Sequence, residues 1–229
     1  ASISESDKEG RVDLTGENIV TIDGDDSKDY DDAVGCYRLD DGYVLKVNIA
    51  DVSHYITEDT PLDLEARSRG CSTYALNTVV PMLPHVLSNG ICSLNPEVER
   101  LTITCEMNVS PDGEIRDYKI YPSFICSKAR MTYHDVNDLL DGDEYLEEKY
   151  AFLGSLFEDL CDCADAIRKK RTKKGAIDFA SSESEIELDA FGKPLDVHQR
   201  ELGHAEEIIE DCMIAANVCV ANFLKDRKS

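Results

Sequence analysis

Alternating apolar and polar positions predict strands in the first half of the chain. Between residues 101 and 109 every second residue is apolar, which is the period of a half-buried strand. Shorter apolar runs predict further strands at residues 18–22, 33–39, 43–49 and 115–126. Turn segments rich in aspartate and glycine, at residues 40–42 and 110–113, separate neighbouring strands. We therefore expect two antiparallel hairpins in this half.

Helices are predicted mostly, but not only, in the second half, where apolar residues recur at three- and four-residue steps. Thr60 and Pro61 begin a short helix as its cap and its first residue, and Thr132 with Asp135 predicts a capping box for another. Longer helices are predicted over the apolar positions 146–167, ending in a basic run at 168–174, and over about 202–225. Short strands are expected at 186–188 and 195–197.

This order of elements predicts the fold class and the domain organisation. Strands followed by helices favour an α/β fold of the mixed α+β kind, with a mixed sheet flanked by helices. Residues 1–17 are polar and predict a lead-in. Residues 18–229 then form one domain, since 229 residues with 42% hydrophobic content suit a single sizeable core.

The composition of the chain indicates the cellular compartment in which the protein is found. No apolar run approaches the roughly 20 residues that a membrane helix needs, and the first ten residues lack the pattern of a signal peptide. The nine cysteines are scattered through apolar runs, which predicts reduced, mostly buried thiols. Cys161 and Cys163, with no histidine nearby in sequence, make a poor zinc site. We expect a cytoplasmic protein.

The formal net charge of −23 complicates any interpretation as a nucleic-acid-binding protein. A strongly acidic surface repels phosphates and slows their approach. Binding of RNA therefore requires divalent cations within a carboxylate cluster, or basic domains outside this chain.

The densest acidic segment is the most informative one. Residues 21–33 read Thr-Ile-Asp-Gly-Asp-Asp-Ser-Lys-Asp-Tyr-Asp-Asp-Ala and contain six aspartates. Carboxylates this close raise one another's pKa unless a cation lies among them, and oxygen ligands select Mg²⁺ or Mn²⁺. A solvated acidic loop is the simpler alternative. A calcium-binding EF-hand loop is excluded. Counted from Asp23, it would need glycine at its sixth position and glutamate at its twelfth, and these positions are Lys28 and Val34.

This segment resembles the signature of the ribonuclease II/ribonuclease R family, that is, of the RNB catalytic domain. Further segments resemble the family in the same order, at residues 47–54, 80–84, 87–94 and 207–217. Residues 67–74 and 88–96 are more similar to ribonuclease R than to ribonuclease II. The resemblance implies Mg²⁺-dependent hydrolysis of single-stranded RNA from its 3′ end, releasing nucleoside 5′-monophosphates, with Mn²⁺ as a substitute cofactor.

The resemblance also implies roles for particular residues. The four aspartates that match the family's catalytic metal site are Asp23, Asp29, Asp31 and Asp32. Among these, Asp31 is the one tied to cleavage rather than to binding. Tyr74 and Phe179 match aromatic residues that stack on bases near the 3′ end, although either ring could instead belong to the core. Glu210 matches a glutamate that contacts the terminal ribose, although a helix carboxylate is more often simply solvated.

The resemblance to the family does not extend over the C-terminal part of the family's domain. In the family the domain continues to an arginine needed for cleavage, and no such motif follows Asn217. We therefore expect a C-terminally truncated domain that is impaired in cleavage by itself. The expected partner is single-stranded RNA, bound by a monomer without an organic cofactor or a membrane. Two alternatives are a non-catalytic relative that only binds RNA, and an acidic metal-binding interaction domain.

Overall fold

The computed structural model describes residues 2–75, 78–177, 183–189, 193–200 and 203–227. The strands are β1 Val12–Asp13, β2 Thr21–Asp23, β3 Asp32–Leu39, β4 Gly42–Ala50, β5 Thr73–Ala75, β6 Thr78–Val80, β7 Glu99–Val109, β8 Ile115–Cys126, β9 Arg130–Thr132, β10 Glu183–Leu188 and β11 Pro194–Arg200. The helices are α1 Pro61–Arg69, α2 Tyr133–Leu140, α3 Glu144–Tyr150, α4 Leu156–Lys173 and α5 His204–Asp226.

A five-stranded mixed sheet organises the chain, in the order β1-β8-β7-β4-β3. Strands β3, β4, β7 and β8 pair antiparallel, whereas β1 runs parallel to β8. Both predicted hairpins are present. Gly42 closes the first at a φ of 147°, where a Cβ would meet the carbonyl oxygen of Val109 at 2.1 Å, so a side chain would push β4 away from β7. The predicted mixed sheet flanked by helices is confirmed.

One face of this sheet is apolar and is covered by α4 and α5. Leu45 and Val47 of β4 pack in one cluster with Leu160 of α4 and with Ile208 and Cys212 of α5. Apolar residues recur along both helices at three- and four-residue steps, so each helix presents one continuous stripe to the sheet. Burial of this stripe holds α4 and α5 against β3, β4 and β7.

The opposite face carries buried polar side chains that satisfy one another. The Thr104 hydroxyl donates to Asn48 Oδ1 at 2.7 Å, and the Asn48 amide donates to the Ala33 carbonyl at 3.1 Å. The Ser123 hydroxyl lies within hydrogen-bonding distance of both Thr102 and Thr104. Because each of these groups has a partner, the cost of burying it is offset.

One of two helix predictions is confirmed and the other is wrong. Thr60 caps α1, with Pro61 as its first residue, as expected. The single helix predicted over 146–167 is wrong: the structure has α3 and α4, separated by a 3₁₀ turn at Ala151–Leu153. Gly154 follows that turn at a φ of 60°, in the left-handed region that favours glycine and interrupts a right-handed helix.

All nine cysteines are free thiols, and most of them are buried, as the sequence predicts. Among the described residues, no helix combines the length and the apolar character needed to cross a membrane.

Candidate active site

The four predicted metal-binding aspartates lie on one connection, residues 23–32, which we call the aspartate loop. Asp23 is the last residue of β2 and Asp32 is the first residue of β3. Asp29 and Asp31 lie between them. Two backbone hydrogen bonds between Val20 and Val34, at 2.9 and 3.0 Å, hold the approach to the loop beside β3. The structure therefore brings all four carboxylates to one end of the neighbouring strands.

Backbone and aromatic contacts fix the course of the aspartate loop. The amide of Ala50, at the end of β4, donates to the Asp31 carbonyl at 2.9 Å. The Tyr30 ring is buried, and its hydroxyl donates to the Ser27 carbonyl at 2.8 Å. Arg130 lies over that ring at 5.3 Å from its centre and donates to the Asp25 carbonyl at 2.7 Å. The loop is held from several directions.

Burial and the repulsion of neighbouring charges raise the pKa of three of these carboxyls, those of Asp23, Asp31 and Asp32. Burial, followed by the charges of Asp32, Asp31 and Asp29, raises the pKa of Asp23 to about 7, although Arg130 opposes this. Burial and the charge of Asp31 raise the pKa of Asp32 to about 6. The pKa of Asp31 is raised by burial and by Asp29. At neutral pH the cluster therefore holds negative charge that the protein compensates only in part.

These residues fit a hard divalent cation. Oxygen Oδ2 of Asp23 is buried and has no hydrogen-bond partner among the described residues, although buried polar atoms are normally paired. All four side chains offer carboxylate oxygens, the ligands that Mg²⁺ and Mn²⁺ prefer. In the described part of the chain, no three Asp, Glu, His or Cys side chains lie close enough together to hold a metal ion as they stand. The fit rests on the donor chemistry and on the unpaired oxygen.

The structure places the predicted RNA-binding residues on other elements. Tyr74 lies on β5 of the β5–β6 hairpin and is 69% exposed, so it does not belong to the core. Glu210 lies on the exposed side of α5. Two residues further along this helix is Cys212, whose pKa is raised by burial and then by the charges of Cys163, Asp211 and Asp32, so α5 passes close to the aspartate loop. Phe179 lies outside the described residues.

An open pocket lies beside Glu210. Its lining comes from α5, from the end of α4 and from the segment that follows α4: Arg168, Arg171, Thr172, Ala176, Ile177 and Glu210. Glu210 is the one predicted RNA-binding residue in this lining.

Comparison with known proteins identifies the family. A model of the RNB domain matches residues 11–229 of the chain. The chain belongs to the RNB family. Ribonuclease R of Escherichia coli (strain K12) is 45% identical over 227 residues, which cover 99% of this chain and 28% of that protein. This RNB chain thus spans less than a third of that relative's length.

Solved structures of RNB proteins show the same fold. RNase R of Mycoplasma genitalium, in complex with double-stranded RNA, matches with a TM-score of 0.92 and 34% identity, covering 100% of this chain and 41% of that one. Its complex with ribose-methylated single-stranded RNA matches equally well, covering 36% of that chain. These matches confirm the resemblance and the fold class predicted from the sequence.

Most of the cations in the basic run after residue 167 form ion pairs within this RNB chain. Asp211, only 1% exposed, accepts from Arg168 Nε at 2.6 Å and from Arg171. Lys170 pairs with Asp112 and Glu114, Lys169 with Asp165, and Lys174 with Glu114. Sequence reasoning did not give Asp211 a structural role, because its partners lie on a different helix.

Asp23→Asn is expected to stabilise the metal-free protein, increasingly so as the pH rises. The pKa of Asp23 is 3.8 in the unfolded chain and about 7 in the folded protein. Between these two pH values the folded protein therefore keeps a proton that the unfolded chain has released. The stability from this proton is fully present below about pH 4 and is lost as the pH rises to about 7. We expect the variant to gain about 2 kcal/mol over the parent by pH 8, discounted for the shared charge of the cluster.

Urea unfolding in EDTA, from pH 4 to pH 8, measures this gain. The exposed Asp26→Asn variant is the control, and it should follow the parent throughout. Saturating Mg²⁺ should reverse the sign, because cation binding then stabilises only the parent. A gap between Asp23→Asn and the parent that does not change with pH would contradict the predicted protonation.

Proposed function

We propose that this chain carries the aspartate cluster of a hydrolytic 3′-to-5′ exoribonuclease that acts on single-stranded RNA. The observation that carries the proposal is the aspartate loop, where the charges of Asp29, Asp31 and Asp32 act on Asp23 and a buried oxygen of Asp23 has no hydrogen-bond partner among the described residues. The family is shown independently, and RNase R of Mycoplasma genitalium has been solved with bound RNA. In the proposed reaction water cleaves the terminal phosphodiester, releasing a nucleoside 5′-monophosphate and a shortened RNA.

The proposed cofactor is Mg²⁺, with Mn²⁺ as a substitute, held by Asp23, Asp29, Asp31 and Asp32. When bound, a divalent cation lowers the pKa of a water and stabilises charge on the reacting phosphate. The protein keeps these carboxylates close together at one end of the strands. Contacts of Tyr30, Arg130 and Ala50 with the backbone of the aspartate loop hold it there. The uncompensated charge of the carboxylates also raises the local concentration of cations.

The proposed RNA contacts are of two kinds: aromatic rings that stack on bases, and a carboxylate that binds the ribose. Tyr74 presents an exposed ring on which any base could stack, which suits an enzyme without sequence preference. Glu210, beside the open pocket, could accept a hydrogen bond from a ribose hydroxyl, the group that distinguishes RNA from DNA. Phe179 is proposed as a second stacking residue. We propose a cytoplasmic monomer that needs no organic cofactor.

A ladder assay tests the proposed function. The protein that carries this chain is incubated with a 5′-labelled single-stranded RNA and Mg²⁺, with EDTA and with DNA of the same sequence as controls. We expect products that shorten step by step from the 3′ end, in Mg²⁺ or Mn²⁺ only and on RNA only. RNA binding without shortening, in either metal, would instead favour a non-catalytic RNB relative. Mn²⁺ binding that RNA neither tightens nor weakens would favour an acidic interaction domain.

Tyr74→Ala is expected to weaken RNA binding with little change in stability. Loss of one base–aromatic stack costs about 1–3 kcal/mol, a rise of roughly 5- to 150-fold in the Kd for RNA. Fluorescence polarisation with a labelled oligonucleotide measures it. Tyr145, on α3, is the matched control, since its side chain is 71% exposed against 69% for Tyr74. Equal weakening by Tyr145→Ala would argue against a specific stack at Tyr74.

A further inference from the structure

A segment whose last three residues are buried packs against the aspartate loop. It consists of one turn of π-helix, Val86–Ile91, followed by Cys92, Ser93 and Leu94. Both Ser93 and Leu94 are fully buried. The Leu94 amide donates to the Tyr30 carbonyl at 2.8 Å, so the segment and the loop are joined through their backbones.

The Ser93 hydroxyl makes two further contacts with the aspartate loop. It accepts a hydrogen bond from the Tyr30 amide at 3.1 Å and donates to the Lys28 carbonyl at 3.5 Å. Lys28 and Tyr30 are the two neighbours of Asp29. One buried oxygen therefore bridges the backbone on both sides of a proposed metal ligand, directly before Asp31.

Arg100, at the start of β7, holds Ser93 in place. Its guanidinium is buried, and Nε donates to the Ser93 carbonyl at 2.8 Å. Its Nη2 donates to the Gly90 carbonyl at 3.3 Å, and its Nη1 donates to the Glu99 carbonyl at 2.9 Å. A planar guanidinium that binds three carbonyls leaves little freedom to the segment between them. The sheet thus fixes Ser93, and Ser93 fixes the loop.

We propose that Ser93 is a positioning residue for the metal site: its hydroxyl sets the backbone of residues 28–30 and thereby the directions in which Asp29 and Asp31 leave the chain. The proposal rests on the proposed function, in which these aspartates hold the cation. Groups that orient metal ligands without touching the metal typically change its affinity about 10- to 100-fold when they are removed. If the role of Ser93 is only structural, its replacement changes the stability of the protein but not its affinity for the metal.

Mn²⁺ binding to Ser93→Ala, measured by isothermal titration calorimetry, separates these roles in the protein that carries this chain. Ser123→Ala is the matched control, because Ser123 is equally buried and hydrogen-bonded, but to Thr102 and Thr104 on the sheet. We expect both variants to lose similar stability. Only Ser93→Ala should bind Mn²⁺ about 10- to 100-fold more weakly, and only it should lose hydrogen-exchange protection at the Tyr30 amide.

Arg100→Lys provides a second variant if Ser93→Ala does not fold. It keeps the charge but loses the three-carbonyl fork, so we expect weaker Mn²⁺ binding in the same direction. Affinity within twofold of the parent for a folded Ser93→Ala protein, or equal weakening by Ser123→Ala, would overturn the positioning role. If the parent itself binds no Mn²⁺, the metal site of the proposed function fails, and the inference about Ser93 fails with it.

Discussion

Replacing Asp31 by asparagine is expected to slow RNA cleavage by at least about 100-fold while RNA binding and the fold remain nearly unchanged. Loss of one preorganised electrostatic contact to the reacting groups typically costs about 10²–10³ in kcat. The amide has the shape of the carboxylate but lacks its charge. The backbone anchor survives, because the Ala50 amide donates to the Asp31 carbonyl rather than to its side chain. Single-turnover cleavage of a labelled RNA at saturating protein measures the effect.

Asp26→Asn is the matched control for this prediction. Asp26 lies in the same aspartate loop and carries the same charge, but it is exposed and outside the four proposed ligands. A loss of cleavage shared by both variants would show that the net charge of the loop matters, rather than one carboxylate. Cleavage by Asp31→Asn within about tenfold of the parent would contradict the role proposed for Asp31.

The aspartate loop could be predicted from the sequence because its carboxylates lie close together along the chain. Their number is unusual, and the strands on either side show clear apolar patterns, so the loop had to end a sheet. For Tyr74 the sequence leaves a core position open, but its neighbours Ser72 and Thr73 are polar, and the ring is exposed. Both features are visible in the sequence because the residues that indicate them lie within a few positions of one another.

The supports of the loop could not be predicted, because they depend on contacts between distant residues. Ser93 and Tyr30 are 63 residues apart, and Arg130 is 105 residues from the carbonyl of Asp25 that it binds. A serine in an apolar segment and an arginine between two strands carry no local signal of such contacts. The break between α3 and α4 was missed for a different reason: the apolar period continues through Gly154, and only its backbone conformation interrupts the helix.

Glu210 and Asp211 show how neighbouring carboxylates on one helix divide between surface and core. Glu210 faces the open pocket, where a charge remains solvated and available to a ligand. Asp211 points into the contact between α4 and α5, where it meets Arg168 and Arg171. Burial alone would lower the pKa of Arg168, but its hydrogen bond to Asp211 and the charges of Asp211 and Glu207 raise it. The guanidinium therefore stays charged.

Asp211→Ala is expected to lower the free energy of unfolding by about 3 kcal/mol. Removal of one partner from a buried ion pair costs about 3–5 kcal/mol, because the other charge stays behind without compensation. The lower end applies here, since the side chains of Arg168 and Arg171 are 26% and 32% exposed and water can screen them. Urea unfolding followed by circular dichroism measures the loss, with metal and pH held constant.

Two neighbouring variants separate the structural role of Asp211 from its surroundings. Asp165→Ala removes the exposed pair with Lys169 on α4 and a longer contact, of 3.6 Å, with His204 of α5, and should cost less than about 1 kcal/mol. Glu210→Gln should leave stability unchanged but reduce the preference for RNA over DNA, because a 2′-hydroxyl loses its charged acceptor. If Asp211→Ala costs no more than Asp165→Ala, the junction of α4 and α5 is held by apolar packing alone. The ion pairs of the basic run would then be free to exchange for phosphates, and the Arg171 side of the pocket would become a candidate for binding the RNA backbone.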